Sequence, residues 1–135
     1  MPDPLAPRYK VLLVDDDIAV LRSLAAALEF DVDVETCESG ERALGLLKGG
    51  TYQVVCSDYS MPGMTGVELL RLVAQLPEPT GCLLVTGSSS FIGRNGVGDH
   101  YVLMKPVEPN RLSSLVQQLA FTAEMKRNAR RSRAV

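Results

Sequence analysis

The chain has 135 residues, 46% of them hydrophobic and 22% charged, with no Trp, three Cys and a formal net charge of −2. That length and apolar content suit one globular domain with a core of its own. The charge balance argues against nucleic-acid binding by this domain. No apolar run reaches the length of a membrane span, and Cys37, Cys56 and Cys82 lack the C-x-x-C spacing of zinc or redox sites.

Residues 1–8 hold three prolines and are expected to form a disordered arm. Met1-Pro2-Asp3-Pro4 has neither the basic nor the apolar region of a signal peptide. Scattered thiols inside apolar runs then read as reduced core groups of a cytoplasmic protein. Val11-Leu12-Leu13-Val14 is short and unalternating, as in a parallel strand buried on both faces, and it runs into Asp15-Asp16-Asp17. Ile18, Leu21, Leu24, Ala25 and Leu28 recur at helical spacing, with Asp17 placed as the N-cap. Val32, Val34 and Thr36-Cys37 give a second strand. Ser39 caps a second helix through Ala43, Leu44 and Leu47, which Gly49-Gly50 stops.

Tyr52 to Ser57 reads as the third strand. It delivers Asp58 into a loop of turn residues, Ser60, Pro62, Gly63 and Gly66. A third helix runs from about Gly66 through Leu69, Leu70, Leu72 and Val73 and ends before Pro77. Cys82 to Val85 is the fourth strand, closed by Thr86-Gly87. Tyr101 to Met104 is the fifth, closed by Lys105-Pro106. Between them, residues 88–99 carry three glycines, each costing about 1 kcal/mol against Ala in a helix, so the fourth helix is expected to be short or disordered. A last helix starts near Pro109, with Leu112, Leu115, Val116 and Leu119 on one face. Lys126, Arg127, Arg130, Arg131 and Arg133 then crowd residues 123–135, which read as a basic, solvated helical extension or linker.

Strand and helix alternate, so right-handed crossovers place helices on both faces of a parallel five-stranded sheet. Four strand ends carry functional-looking groups: Asp15 and Asp16, Asp58, Thr86 and Lys105. With strands one, three, four and five side by side, all of them reach one crevice, on the edge where open α/β sheets bind ligands. Three carboxylates together repel unless a divalent cation sits among them, and an oxygen-only site open to water and phosphate suits Mg²⁺. Asp58 can then act as a nucleophile toward phosphorus. Mg²⁺, Lys105 and the Thr86 hydroxyl with nearby backbone N–H groups would each take one equatorial oxygen.

These residues resemble the receiver domain of two-component response regulators, of the chemotaxis-regulator type. The likeness covers residues 9–122. Val11 to Asp17 is similar to the family's first strand and acidic pair, and Val34 to Leu44 to its second strand and helix. Asp58-Tyr59-Ser60-Met61-Pro62-Gly63-Met64-Thr65-Gly66 matches the D-x-x-M-P-x-M-x-G loop. Val85-Thr86-Gly87 and Met104-Lys105-Pro106 match the Thr and Lys-Pro signatures. The resemblance implies a flavodoxin-like doubly wound sheet in the order 2-1-3-4-5. It implies that Asp58 takes a phosphoryl group from a sensor histidine kinase or phosphotransfer protein, and that the domain switches conformation to control an output domain or effector. Asp16 would ligate Mg²⁺ directly, Asp15 largely through water, and the Ser60 carbonyl would be a further ligand. Thr86 would report the phosphoryl group and Lys105 would pair with it. The Lys105-Pro106 bond is cis in many relatives. Self-phosphorylation and autodephosphorylation would be its only chemistry, and a homodimer could follow phosphorylation.

Two positions depart from the pattern. The family's switch aromatic, three residues before the lysine, is Val102 here, with Tyr101 one earlier; either the strand is offset by one or the switch is absent. The gap from Thr86 to Lys105 is also short and glycine-rich. Output is therefore expected to run through strand five and the last helix. Ser60 and Ser88 are small neighbours of the site, so the aspartyl phosphate is expected to stand open to water.

Two other function classes fit part of the chain. Asp15 and Asp17 can be read as the D-x-D of a haloacid-dehalogenase-type phosphatase, but Ile18 follows, the acidic pair after the lysine is missing, and the Asp58 loop is left unexplained. A flavodoxin-like cofactor binder would need a Ser/Thr/Gly-rich phosphate loop where three aspartates stand. His100, the only histidine, is assigned to solvent and Cys56 to the core.

Overall fold

Val11 to Val14 send successive side chains to opposite faces of the sheet, and all four are buried. Val11 and Leu13 join a cluster with Leu21, Leu28, Leu112 and Val116, while Leu12 and Val14 join one with Ala43, Leu47, Leu69 and Leu70. The unalternating apolar run is thus the signature of a strand between two helical layers.

In the computed structural model, residues 8–87 and 101–134 are described. Strands β1 (Lys10–Val14), β2 (Asp33–Cys37), β3 (Val54–Ser57), β4 (Gly81–Thr86) and β5 (Tyr101–Met104) form one parallel sheet in the order β2-β1-β3-β4-β5. Helices α1 (Ile18–Leu28) and α4 (Pro109–Ala134) cover one face. Helices α2 (Gly40–Leu47) and α3 (Gly66–Ala74) cover the other. Residues 1–7 of the expected arm, Ser88, His100 and the expected short or disordered helix before β5 fall outside the described residues; Arg8, the last residue of that arm, is held instead, its Nη2 donating to the Glu29 and Val32 carbonyls at 2.7 and 2.8 Å.

Helix starts follow local chemistry. The Asp17 side chain accepts from the amides of Ala19 and Val20, and Ser39 accepts from that of Arg42. Thr65 and Glu68 close a capping box at α3, a Thr-x-x-Glu signal that places the start of this helix. The third strand begins at Val54, two residues later than its apolar run. The Tyr52 carbonyl is turned to the Arg127 guanidinium instead of a neighbouring strand.

Helix α4 runs unbroken through the basic stretch. Arg127 is not solvated as its neighbours suggest; its side chain is 3% exposed. It continues the buried stripe Leu112, Val116, Ala120, Ala123, so helical phase turns it inward.

Candidate functional site

Two strands end side by side at the acidic edge. The Asp58 amide donates to the Val14 carbonyl at 2.9 Å, and the Asp15 amide donates to the Cys37 carbonyl at 3.1 Å. These bonds fix the backbones of both aspartates just past the paired part of the sheet. The Lys105 amide donates to the Thr86 carbonyl at 2.8 Å, which sets the end of β5 against the end of β4. Thr86 is buried there, and the Lys105-Pro106 peptide is cis.

The loop after Asp58 is held from three sides. Met61 is buried against the α2/α3 layer. Glu41 of α2 accepts the Met64 amide at 2.9 Å, and the Gly66 amide donates to the Tyr59 carbonyl at 2.9 Å. A Cβ on Gly66 would lie 2.0 Å from the Asp58 carbonyl oxygen, so only glycine lets the loop close this tightly. Gly63 turns the loop at φ +79°. Ser60 lies on this loop, exposed, two residues past Asp58.

Asp15, Asp16 and Asp58 each present a carboxylate oxygen within 4.8 Å of the other two. Lys105 Nζ donates to Asp15 Oδ2 at 3.2 Å and to Asp58 Oδ1 at 3.3 Å. The other Asp15 oxygen accepts the Asp17 amide at 2.9 Å. Burial pushes the Asp15 carboxyl above its usual range; the Asp17 amide and Lys105 oppose the rise, and the Asp58 charge adds to it. Burial acts to lower the Lys105 ammonium, but the bond to Asp15 and the charges of Asp58 and Asp15 outweigh it, and the net shift is upward.

One ammonium cannot balance three carboxylates. The cluster keeps a formal charge of −2, which a divalent cation would cancel. The donors are all hard oxygens, one buried, one half-buried and one exposed, so the site fits a cation that keeps part of its water shell.

A scan of family models matches the response regulator receiver domain over residues 11–117. The chain belongs to that family. It is 34% identical over 113 residues to the signal transduction histidine-protein kinase BarA of Escherichia coli strain K12, an alignment that covers 78% of this chain and 12% of the kinase. Among solved structures it is similar to the chemotaxis response regulator CheY4 of Vibrio cholerae, with a TM-score of 0.73, 30% identity, and coverage of 84% of this chain and 99% of that one. The signal receiver domain of an HD domain-containing protein from Pseudomonas fluorescens Pf-5 shares the fold, at a TM-score of 0.82 and 23% identity over 94% of this chain and 97% of that one.

The receiver's acidic pocket therefore unites Asp15, Asp16 and Asp58 with Lys105, and Thr86 lies beside it on the end of β4. The phosphatase reading fails on the same geometry. Its acid, Asp17, is spent on the α1 cap, and both oxygens of its nucleophile, Asp15, are taken. At β5, Val102 pairs in register with Leu84 and packs on the α2/α3 layer, while Tyr101 pairs with Leu83 and is 54% exposed. The strand is not offset, and the position three before Lys105 holds Val102. Sequence reasoning missed Glu41 as a brace of the Asp58 loop, because nothing local links residues 41 and 64. It also missed the Asp17 amide, a tight turn that the Asp-Asp-Asp run could have signalled.

No helix among the described residues is long and apolar enough to cross a membrane. Burial raises the thiols of Cys56 and Cys82 above the usual range, Cys82 to about 12, which disfavours their thiolates.

Proposed function

We propose that Asp58 is the phosphoacceptor of this receiver, charged by a sensor histidine kinase or phosphotransfer protein in the cytoplasm. A carboxylate oxygen of Asp58 bonds to phosphorus as the P–N bond of a phosphohistidine breaks, and the imidazole leaves with that electron pair. Water later attacks the acyl phosphate and returns Asp58 and inorganic phosphate. The observation that carries this reading is the Lys105 ammonium shared between Asp15 and Asp58 at 3.2 and 3.3 Å, inside a carboxylate cluster with charge to spare.

Asp16 and Asp58, with Asp15 and the Ser60 carbonyl, would hold Mg²⁺, which when bound supplies positive charge to the phosphoryl oxygens. Lys105 leaves its place between the two carboxylates to neutralise another oxygen. Thr86 donates to the third, and its carbonyl bond to Lys105 N lets the ends of β4 and β5 respond together. The changed edge would then be read by an output domain, an effector or a second copy of the chain. With Val102 in place of the switch aromatic, β5 and α4 would carry more of that change.

Beryllofluoride, a mimic of the phosphoryl group, tests this without a kinase. A slowly exchanging protein-bound fluorine NMR signal that requires Mg²⁺ and is lost in Asp58→Asn is expected. The same signal in Asp58→Asn would contradict the assignment.

A further inference from the structure

We propose that Arg127 is a latch. It makes the last three turns of α4 part of the folded domain and holds the helix as a strut between the two edges of the sheet.

At the edge opposite the acidic pocket, Arg127 Nε donates to the Pro79 carbonyl at 2.7 Å and Nη1 to the Gly50 carbonyl at 2.7 Å. Nη2 donates to the Tyr52 carbonyl at 2.5 Å and to Thr80 Oγ1 at 3.3 Å. Gly50 and Tyr52 lie in the loop leading into β3. Pro79 and Thr80 lie in the loop leading into β4. One guanidinium thus joins the feet of the two strands whose other ends carry Asp58 and Thr86. The side chain is 3% exposed, and Glu78, at 3.7 Å and 48% exposed, is the acidic group facing it from the β4 loop. On the helix itself, Glu124 pairs with Arg131 at 3.7 Å. Arg130, one turn from Arg127, donates to the Pro77 carbonyl and extends the same attachment.

The other end of α4 is also fixed. It begins four residues after Lys105, and the Glu108 side chain accepts the Asn110 and Arg111 amides at 2.9 and 2.8 Å. The match to the receiver family stops at residue 117, ten residues before the latch. A planar fork suits this task because it reaches three carbonyls on two loops at fixed angles. A lysine could carry the charge but not span them. The latch also fixes how Phe121 and Met125, each 56% exposed, are presented on the outer side of α4.

Trypsin reads the latch directly, since Lys126, Arg127, Arg130, Arg131 and Arg133 are all cleavable in an unfolded segment. In the wild-type chain, cleavage at Arg133 should outpace cleavage at Lys126 and Arg127 by at least about tenfold, because opening the latched turns precedes cutting there. Arg127→Met keeps an apolar stem of similar length. It should raise cleavage at Lys126 by about tenfold or more and abolish slow amide exchange over residues 124–131, while residues 10–37, outside the latched loops, remain the slower-exchanging part of the domain. Arg127→Lys should behave as Arg127→Met does. Wild-type protection in either variant would overturn the proposal, as would a wild-type chain cut at Lys126 as fast as at Arg133. If Arg127→Met does not fold, the wild-type cleavage pattern and the Lys variant decide the matter.

Discussion

The two edges of the sheet hold two cations in opposite circumstances. Lys105 at the C-terminal edge is surrounded by more negative charge than it can balance. Arg127 at the N-terminal edge is surrounded by neutral oxygens that take four of its five N–H donors, with one acidic side chain nearby. A nearly saturated, neutral site has little left to bind. A site with surplus charge and shared hydrogen bonds can exchange partners at small cost. Chemistry belongs to the first edge and attachment to the second, and substitutions should separate the two.

Lys105→Ala should have the largest effect on function. It removes the cation that would meet the phosphoryl group, so phosphorylation by a small-molecule phosphodonor should slow by about 10²–10³-fold, the range for losing one preorganised charge stabiliser. Stability should fall by less than it does for Arg127→Met, because Lys105 is itself 27% exposed and Asp16 faces water, although the buried Asp15 loses its cation. A stopped-flow phosphorylation assay beside a urea titration measures both. Should stability fall instead of rate, Lys105 would be a structural cation like Arg127.

Arg127→Met should show the reverse. Removing the partner of three carbonyls costs about 3 kcal/mol, the scale for breaking a buried charged network. The loss should appear in urea unfolding while phosphorylation yield stays at the wild-type level. A fall in yield with unchanged stability would mean that the two edges are not separate.

Asp15→Asn should produce the smallest and most diagnostic change. Burial holds the Asp15 carboxyl above its ordinary value of 3.8. The folded metal-free chain therefore binds that proton more tightly than the unfolded chain does. This group favours folding most at low pH, and its contribution is lost as pH rises from the ordinary value through the raised one. At neutral pH the charged, desolvated carboxylate is a burden, and Asn should stabilise the metal-free protein by about 1 kcal/mol. Mg²⁺ affinity should fall in the same variant. Urea titrations from pH 4 to 8 without metal test the sign; a variant less stable than wild type at pH 7 would show that the Lys105 bond outweighs burial.

Much of this was readable from the chain because strand ends announce themselves. Val11 to Asp17 and Val54 to Gly66 each join an unbroken apolar run to acidic and turn residues, and a parallel sheet leaves such ends one destination. The caps at Asp17 and Ser39 were equally local. The Arg127 latch was not, because five cations in eight residues look alike by composition. Only the phase set by Leu112, Val116, Ala120 and Ala123 singles out the one that turns inward. Val102 presented another kind of difficulty: its place was clear, but whether β5 was offset depended on the register with β4, which is a tertiary fact.

Whether Asp58 takes the phosphoryl group can be read from the intact mass of the protein after incubation with acetyl phosphate, with and without Mg²⁺, for the wild type and Asp58→Asn. One added phosphoryl group is expected in the wild type with metal, and none in the variant or without metal. A phosphoryl adduct that persists in Asp58→Asn and disappears in Asp15→Asn would contradict it and move the nucleophile to the first strand.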